Sequence, residues 1–331
     1  MKIKKLVVLA SAAALFLCGC SPADNGAEGI TILTADFAEY DWVREILGDN
    51  PSGIILERLN ESGQDMHSYQ PSVKDMVSIS DCSLLIYAGG ESEFWIDEAA
   101  ESSDKSPESC LSLMEVLAHD PKLSERYEGT AGAHDHEHEH HDEEYDEHMW
   151  LSLKAAPVFI EKITEAICVL DPVNSAYYEK NSRNYIEKIK ALDCEYEKVT
   201  AAAKESGEAF ILVADRFPFV YLTEDYQLSH LAAFPGCSAE TEASFATILD
   251  LSDAIDRHSP GGVLVLKKSD TALAQTVIKN SSLKELPVLR LDDMQSVTAE
   301  DVKEGCTFLS VMEENLTALE TALGVGTNIN R

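Results

Sequence analysis

The sequence predicts an α/β protein of two lobes, each with a small parallel sheet, joined by one long helix. Three observations carry this. Strand-like and helix-like segments alternate in both halves, the pattern of a parallel sheet with helices on its faces. Between the halves lies a helical stretch from about Leu151 to Lys204, broken once at Asp171-Pro172. Its second part, from about Asn174, would run roughly 45 Å at 1.5 Å per residue, enough to lie along two lobes. The length agrees, since 331 residues accommodate two ordinary domains.

In order, GITILTADF (29–37) reads as a strand, YDWVREILGDN (40–50) as a helix and GIILERL (53–59) as a strand. The polar turn NESGQDMHSYQPS follows, then the helix VKDMVSISD (73–81). Ser72 as N-cap and Asp75 three residues on form a capping-box pattern for that helix. CSLLIYAGG is a buried strand ending in two glycines. After the long helix come the strand AFILVAD (209–215), strand-like HLAAFPG (230–236) and the helix FATILDLSDAIDRH. Strand GGVLVLK, helix TALAQTVIKN, strand PVLRLDD and helix TFLSVMEENLTALETAL complete the second half.

Apolar residues are 45% of the chain, so a real core can be buried. The formal net charge is −33 and the pI about 4.5. This excludes a nucleic-acid binder, which needs basic patches, and favours a cation-attracting surface. Residues 1–19 read as a signal peptide: MKIKK supplies three lysines and LVVLASAAALFL a short apolar run. The run ends in LCGC, which resembles the lipobox of bacterial lipoproteins, with Cys20 the acylated residue. Residues 20–28 are a polar, lipidated tether. The expected organisation continues with an N-terminal lobe (29–170), linking helices (171–207) and a C-terminal lobe (208–331). The expected location is the outer face of the bacterial cytoplasmic membrane, held by lipid only. Six further cysteines, Cys82, Cys110, Cys168, Cys194, Cys237 and Cys306, suggest disulfides in an exported protein. No spacing is C-x-x-C, and six cysteines allow about fifteen pairings.

Candidate metal ligands stand at loop ends. His67 follows a strand and precedes the capped helix, and open α/β sheets bind ligands at the carboxyl ends of strands. His148, in DEHMWLSLKAAP, is fixed to packed structure by Met149 and Trp150. Asp215 ends the strand AFILVAD, and Asp292 and Asp293 follow PVLRL. Four nitrogen or oxygen donors from four loop ends would close a site without room for chemistry.

The stretches TADFAEYDWVREILGD, DMHSYQPSVKDMVSISDCSLLIYAGGESEFWID, YDEHMWLSLKAAPVFIEKITEAICVLDPVNSAYYEKNSRNYIEKI, ADRFPFVYLTEDYQL and LDDMQSV together resemble the metal-binding lipoproteins of zinc/manganese ABC importers. The resemblance covers about residues 30–325. It implies a metal cleft between the lobes. It also implies His67 and His148 as the first two ligands and an aspartate after a late strand, best matched by Asp292, as the fourth. The third position falls on Asp215, displaced by one residue at DRFPF, with Glu240 of GCSAETEAS as the alternative.

Between these motifs runs the acid- and histidine-rich loop 133–148. His134, His136, His138, His140 and His141 resemble the loop of zinc-specific members and form weak sites, since so polar a segment does not pack. A His2Asp2 set also suits manganese, while the loop favours zinc. The expected function is therefore extracellular zinc capture for an ABC permease and its ATPase, both separate chains, by a monomer that is not an enzyme. No G-x-x-x-x-G-K-[ST] loop occurs, and HEHEHH is only superficially like the H-E-x-x-H of metallopeptidases. The alternatives are a manganese-binding counterpart and a surface adhesin.

Overall fold

The computed structural model describes residues 29–127, 145–207, 209–236 and 242–325. Its N-terminal half contains β1 (Thr31–Thr34), α1 (Phe37–Leu47), β2 (Ile55–Arg58), α2 (Val73–Asp81), β3 (Leu84–Tyr87), α3 (Phe94–Ser102), β4 (Cys110–Ser112), α4 (Leu113–His119) and α5 (Pro121–Arg126). Two helices link the halves, α6 (Ala156–Leu170) and α7 (Ser175–Ser206). The C-terminal half contains β5 (Phe210–Phe217), α8 (Val220–Tyr226), β6 (Ser229–Pro235), α9 (Phe245–His258), β7 (Val263–Leu266), α10 (Ala272–Asn280), β8 (Val288–Leu291), α11 (Ala299–Lys303) and α12 (Phe308–Ala322).

Both lobes carry a four-stranded parallel sheet, in the orders β2-β1-β3-β4 and β6-β5-β7-β8. The two orders are the same, so the lobes repeat one α/β plan. Such a sheet needs cover on both faces, and three apolar clusters supply it. One lies on the outer side of each sheet, around Leu33, Leu85 and Ile96 in the first lobe and Leu212, Val265 and Val277 in the second. The third is shared between lobes and runs from Trp42 and Phe159 through Tyr196 to Phe308.

α7, 32 residues long, is the spine of that shared cluster. Its Tyr196 hydroxyl donates to the Met312 carbonyl in α12 at 2.6 Å. Trp42 of α1 meets Phe308 edge-on, with ring centroids 5.3 Å apart. Asp41, also on α1, accepts the Phe308 amide at 2.8 Å. That places a carboxylate at the positive end of α12 and ties the lobes together. Among the described residues no helix is long and apolar enough to cross a membrane.

Several boundaries differ from the sequence reading, among them β5, which runs past the expected end at Asp215 to Phe217. α1 begins at Phe37 because Asp36 is its N-cap, accepting the Phe37 amide at 2.9 Å. It ends at Gly48, whose φ of +53° a β-carbon would disfavour. The helix expected from Leu151 starts later, because Met149–Leu151 is a separate 3-10 turn. The expected disulfides are also corrected among the described residues: Cys82, Cys110, Cys168, Cys194 and Cys306 are free thiols. Cys20 and Cys237 lie outside the described residues.

Candidate metal centre

The carboxyl ends of both sheets converge on His67 and His148. His67 sits in the middle of a 3-10 turn, Met66–Ser68, in the loop after β2. Asp65 caps the turn, its Oδ1 accepting the His67 amide at 3.0 Å. His148 stands immediately before the turn Met149–Leu151. Asp146 Oδ1 accepts the His148 amide at 2.9 Å. From the C-terminal lobe, the Tyr221 hydroxyl donates to the Asp146 carbonyl at 2.6 Å, and Trp150 Nε1 donates to the Asp293 carbonyl at 2.9 Å. Gly236, after β6, completes the wall: an added β-carbon would lie 2.9 Å from the Phe217 carbonyl and 3.3 Å from His148 Cε1.

The two imidazoles face each other with Nε2 atoms 3.4 Å apart. Behind each ring stands a carboxylate. His148 Nδ1 lies 2.9 Å from Asp146 Oδ1, and His67 Nδ1 lies 3.0 Å from Glu147 Oε1. Carboxylates only accept, so in the neutral rings they hold the proton on Nδ1 and leave both Nε2 lone pairs aimed into the gap. Glu147 is itself fixed, its Oε2 accepting from the Ser92 amide at 3.0 Å and the Ser92 hydroxyl at 2.6 Å.

The electrostatics follow from burial and neighbours. Burial alone would raise the Glu147 carboxyl, but the hydrogen bond from His67 and the charge of His148 outweigh it and bring it down to about 2. Burial alone would lower the His148 imidazole, but Asp146, Glu147 and Asp293 outweigh it and raise it. Asp293 is pushed up to about 6, first by burial and then by Asp292, with His148 and Arg216 acting against the rise. His148 and Asp293 are thus close enough to act on one another.

Of the four residues expected as ligands, His67 and His148 come together. Asp215 does not join them: its Oδ1 accepts the Arg216 amide at 2.9 Å and its Oδ2 the Leu266 amide at 3.0 Å. Asp292 also turns elsewhere. Its Oδ2 pairs with Lys267 Nζ at 2.9 Å and its Oδ1 accepts the Met294 amide at 2.9 Å. It lines a separate pocket with Lys267, Cys306 and Glu314. Among the described residues no group of three or more His, Cys, Asp or Glu side chains is already arranged to hold a metal ion. Glu240 and the loop residues His134, His136, His138, His140 and His141 lie outside the described residues. The sequence reading did not single out Asp65, Asp146, Glu147 or Arg216. The signal for the first three was their place within two residues of a candidate histidine.

Comparison with known proteins identifies the family. The family model described as ZnuA, zinc-uptake complex component A, periplasmic, matches residues 32–322. The zinc-binding lipoprotein AdcA of Streptococcus pneumoniae serotype 4 is 31% identical over 319 residues, covering 96% of this chain and 61% of that protein. The chain therefore spans about three-fifths of the length of that relative. The high-affinity zinc uptake system protein ZnuA of Bacillus subtilis is 27% identical, covering 91% of this chain and 90% of that one. The crystal structure of Zn(II)-bound AdcA from S. pneumoniae superposes with a TM-score of 0.69 at 26% identity, covering 89% of this chain and 57% of that one. With the family model spanning both lobes and the central helix, the chain belongs to the family of zinc-uptake complex component A proteins.

Proposed function

We propose that this protein captures a zinc ion between its lobes and delivers it to an ABC import permease whose ATPase is a separate chain. His67 and His148 bind the ion through Nε2, and Asp293 supplies an oxygen donor in the place that the sequence reading gave to Asp292. Cys20 carries the lipid that holds the protein at the outer face of the membrane.

One observation carries the reading, the 3.4 Å between the two Nε2 atoms. Two nitrogens bound at 2.0–2.1 Å and meeting at the tetrahedral angle stand about 3.3–3.4 Å apart. At the right angle of an octahedral or square site, the same bond lengths would bring them to about 2.9 Å. The gap therefore fits two nitrogens on a tetrahedral ion such as zinc. Both rings are held in the tautomer that ligation requires, with the carboxylate–histidine arrangement that orients and strengthens such ligands. Relatives named as a zinc-binding lipoprotein and as a high-affinity zinc uptake system protein support the same ion.

Chelator competition on lipid-free protein, residues 21–331, tests the assignment. His67→Ala and His148→Ala each weaken zinc binding by more than the ~10–100-fold that outer-shell changes cost. Asp293→Ala weakens it as well, while Asp292→Ala leaves it near wild type. Wild-type affinity in both histidine variants refutes the site. A loss in Asp292→Ala with none in Asp293→Ala returns the oxygen donor to Asp292.

A further inference from the structure

We infer that Arg216 is a positioning residue for zinc capture, acting from the C-terminal lobe through Asp65 on His67. The inference rests on the two-histidine site proposed above.

The relay begins inside the second sheet. β5 pairs with β6 in register up to Val213, and the register shifts before pairing resumes at Arg216. The shift is a bulge, a device that re-aims a side chain near a functional site. Asp215 pins it. One carboxylate oxygen accepts the Arg216 amide at 2.9 Å and the other accepts the amide of Leu266, the last residue of β7, at 3.0 Å. This explains why Asp215, in the bulge two residues before the end of β5, does not reach the histidines.

Beyond the bulge, the Arg216 guanidinium crosses to the other lobe and pairs with Asp65 Oδ2. Both side chains are mostly buried, 24% and 29% exposed. The second oxygen of the same carboxylate, Oδ1, caps the turn of His67 through its amide at 3.0 Å. One short chain of contacts therefore runs from the second sheet to the first histidine. Without it, His67 hangs on a three-residue turn held to the rest of the site by Glu147.

The sign of the effect separates this role from simple electrostatics. Arg216 lies close enough to Asp293 to oppose the rise of its carboxyl. A cation in that position repels an incoming zinc ion, so Coulomb's law alone predicts tighter binding when it is removed. A positioning role predicts weaker binding, because the lost contact loosens a ligand.

The test uses lipid-free protein loaded with zinc. Equilibrium chelator competition is measured beside stopped-flow release into excess chelator. Arg216→Gln removes the charge, and Asp65→Asn breaks the ion pair while retaining an oxygen that can cap the turn. Each raises the release rate ~10–100-fold, the range for outer-shell changes, with association changed far less. The double variant is no worse than either single one, because both cut the same relay, and Arg216→Lys recovers part of the loss. Unchanged or tighter zinc binding in Arg216→Gln overturns the inference, as do effects that multiply in the double variant. If Arg216→Gln does not fold, as judged by thermal unfolding without zinc, Arg216→Met, which also removes the charge, decides on the same criteria. If His67→Ala binds zinc like wild type, the proposed function fails first. If His67→Ala loses zinc and Arg216→Gln does not, only the relay fails.

Discussion

Replacing Glu39 with glutamine removes a titrating carboxyl from the interior of the first lobe. Glu39 lies in the first turn of α1, fully buried, and neither carboxylate oxygen has a hydrogen-bond partner. Burial pushes its carboxyl from 4.5 up to about 7, while first-turn amides and Arg58 limit the rise. Burial and the neighbouring Glu39 also raise Asp36 and Glu93. The folded state thus holds a proton on Glu39 over a range in which the unfolded chain has released it. Between pH 4.5 and 7 the folded state binds more protons, so stability from this group falls as pH rises. Moving one carboxyl that far corresponds to roughly 3 kcal/mol, all of it lost above pH 7. Glu39→Gln keeps the shape and removes the titration. A buried amide without partners costs about 1–3 kcal/mol at every pH, so the diagnostic quantity is the slope. Urea unfolding of zinc-free protein at steps from pH 4.5 to 8 should show the variant gaining on wild type by roughly 3 kcal/mol across that range. Parallel pH curves for the two proteins would refute the reasoning.

Two further outcomes concern residues outside the described part of the chain. Deleting residues 134–143 should leave one tight zinc site, because His148 is held by Asp146, Tyr221 and Trp150, and remove several weaker ones; calorimetry at pH 7.5 and 5.5 counts both classes, and loss of the tight site refutes the separation. The weak sites should fade near pH ~6.5, where imidazole protonates. Cys20→Ala should release the protein from the membrane fraction with zinc affinity intact, and fractionation that finds the variant still fully bound to membrane contradicts the lipobox.

Much of this was legible in the chain because local rules and tertiary structure agree. The alternation of strands and helices gave two parallel sheets, and the Ser72–Asp75 capping box stands as read. His67 and His148 were legible because each sits beside a recognisable anchor. What stayed hidden depends on side-chain direction. Asp292 and Asp293 are adjacent beyond a strand, where consecutive side chains point to opposite sides. Nothing in PVLRLDD says which one faces the cleft. Asp146 and Glu147 look in the sequence like the end of an acidic run, and only packing singles them out. β4 has three residues and α5 six, too short for a periodic pattern to declare itself.

The placement of the two histidines has a consequence for where affinity resides. Neither sits on a regular helix or strand. Each belongs to a short irregular segment, and such segments are ordinarily the least stable parts of a fold. A tetrahedral site tolerates errors of only about half an ångström. The precision must come from tertiary contacts, and the structure supplies them from both sides. Asp65 and Glu147 hold His67, and Asp146 holds His148. Behind these, Tyr221 and the Asp293 carbonyl grip residues 146–150 from the second lobe, while Arg216 grips Asp65. The second lobe thus does more than close the cleft. It fixes both histidines contributed by the first, so under the proposed function zinc affinity would depend on residues that never touch the ion.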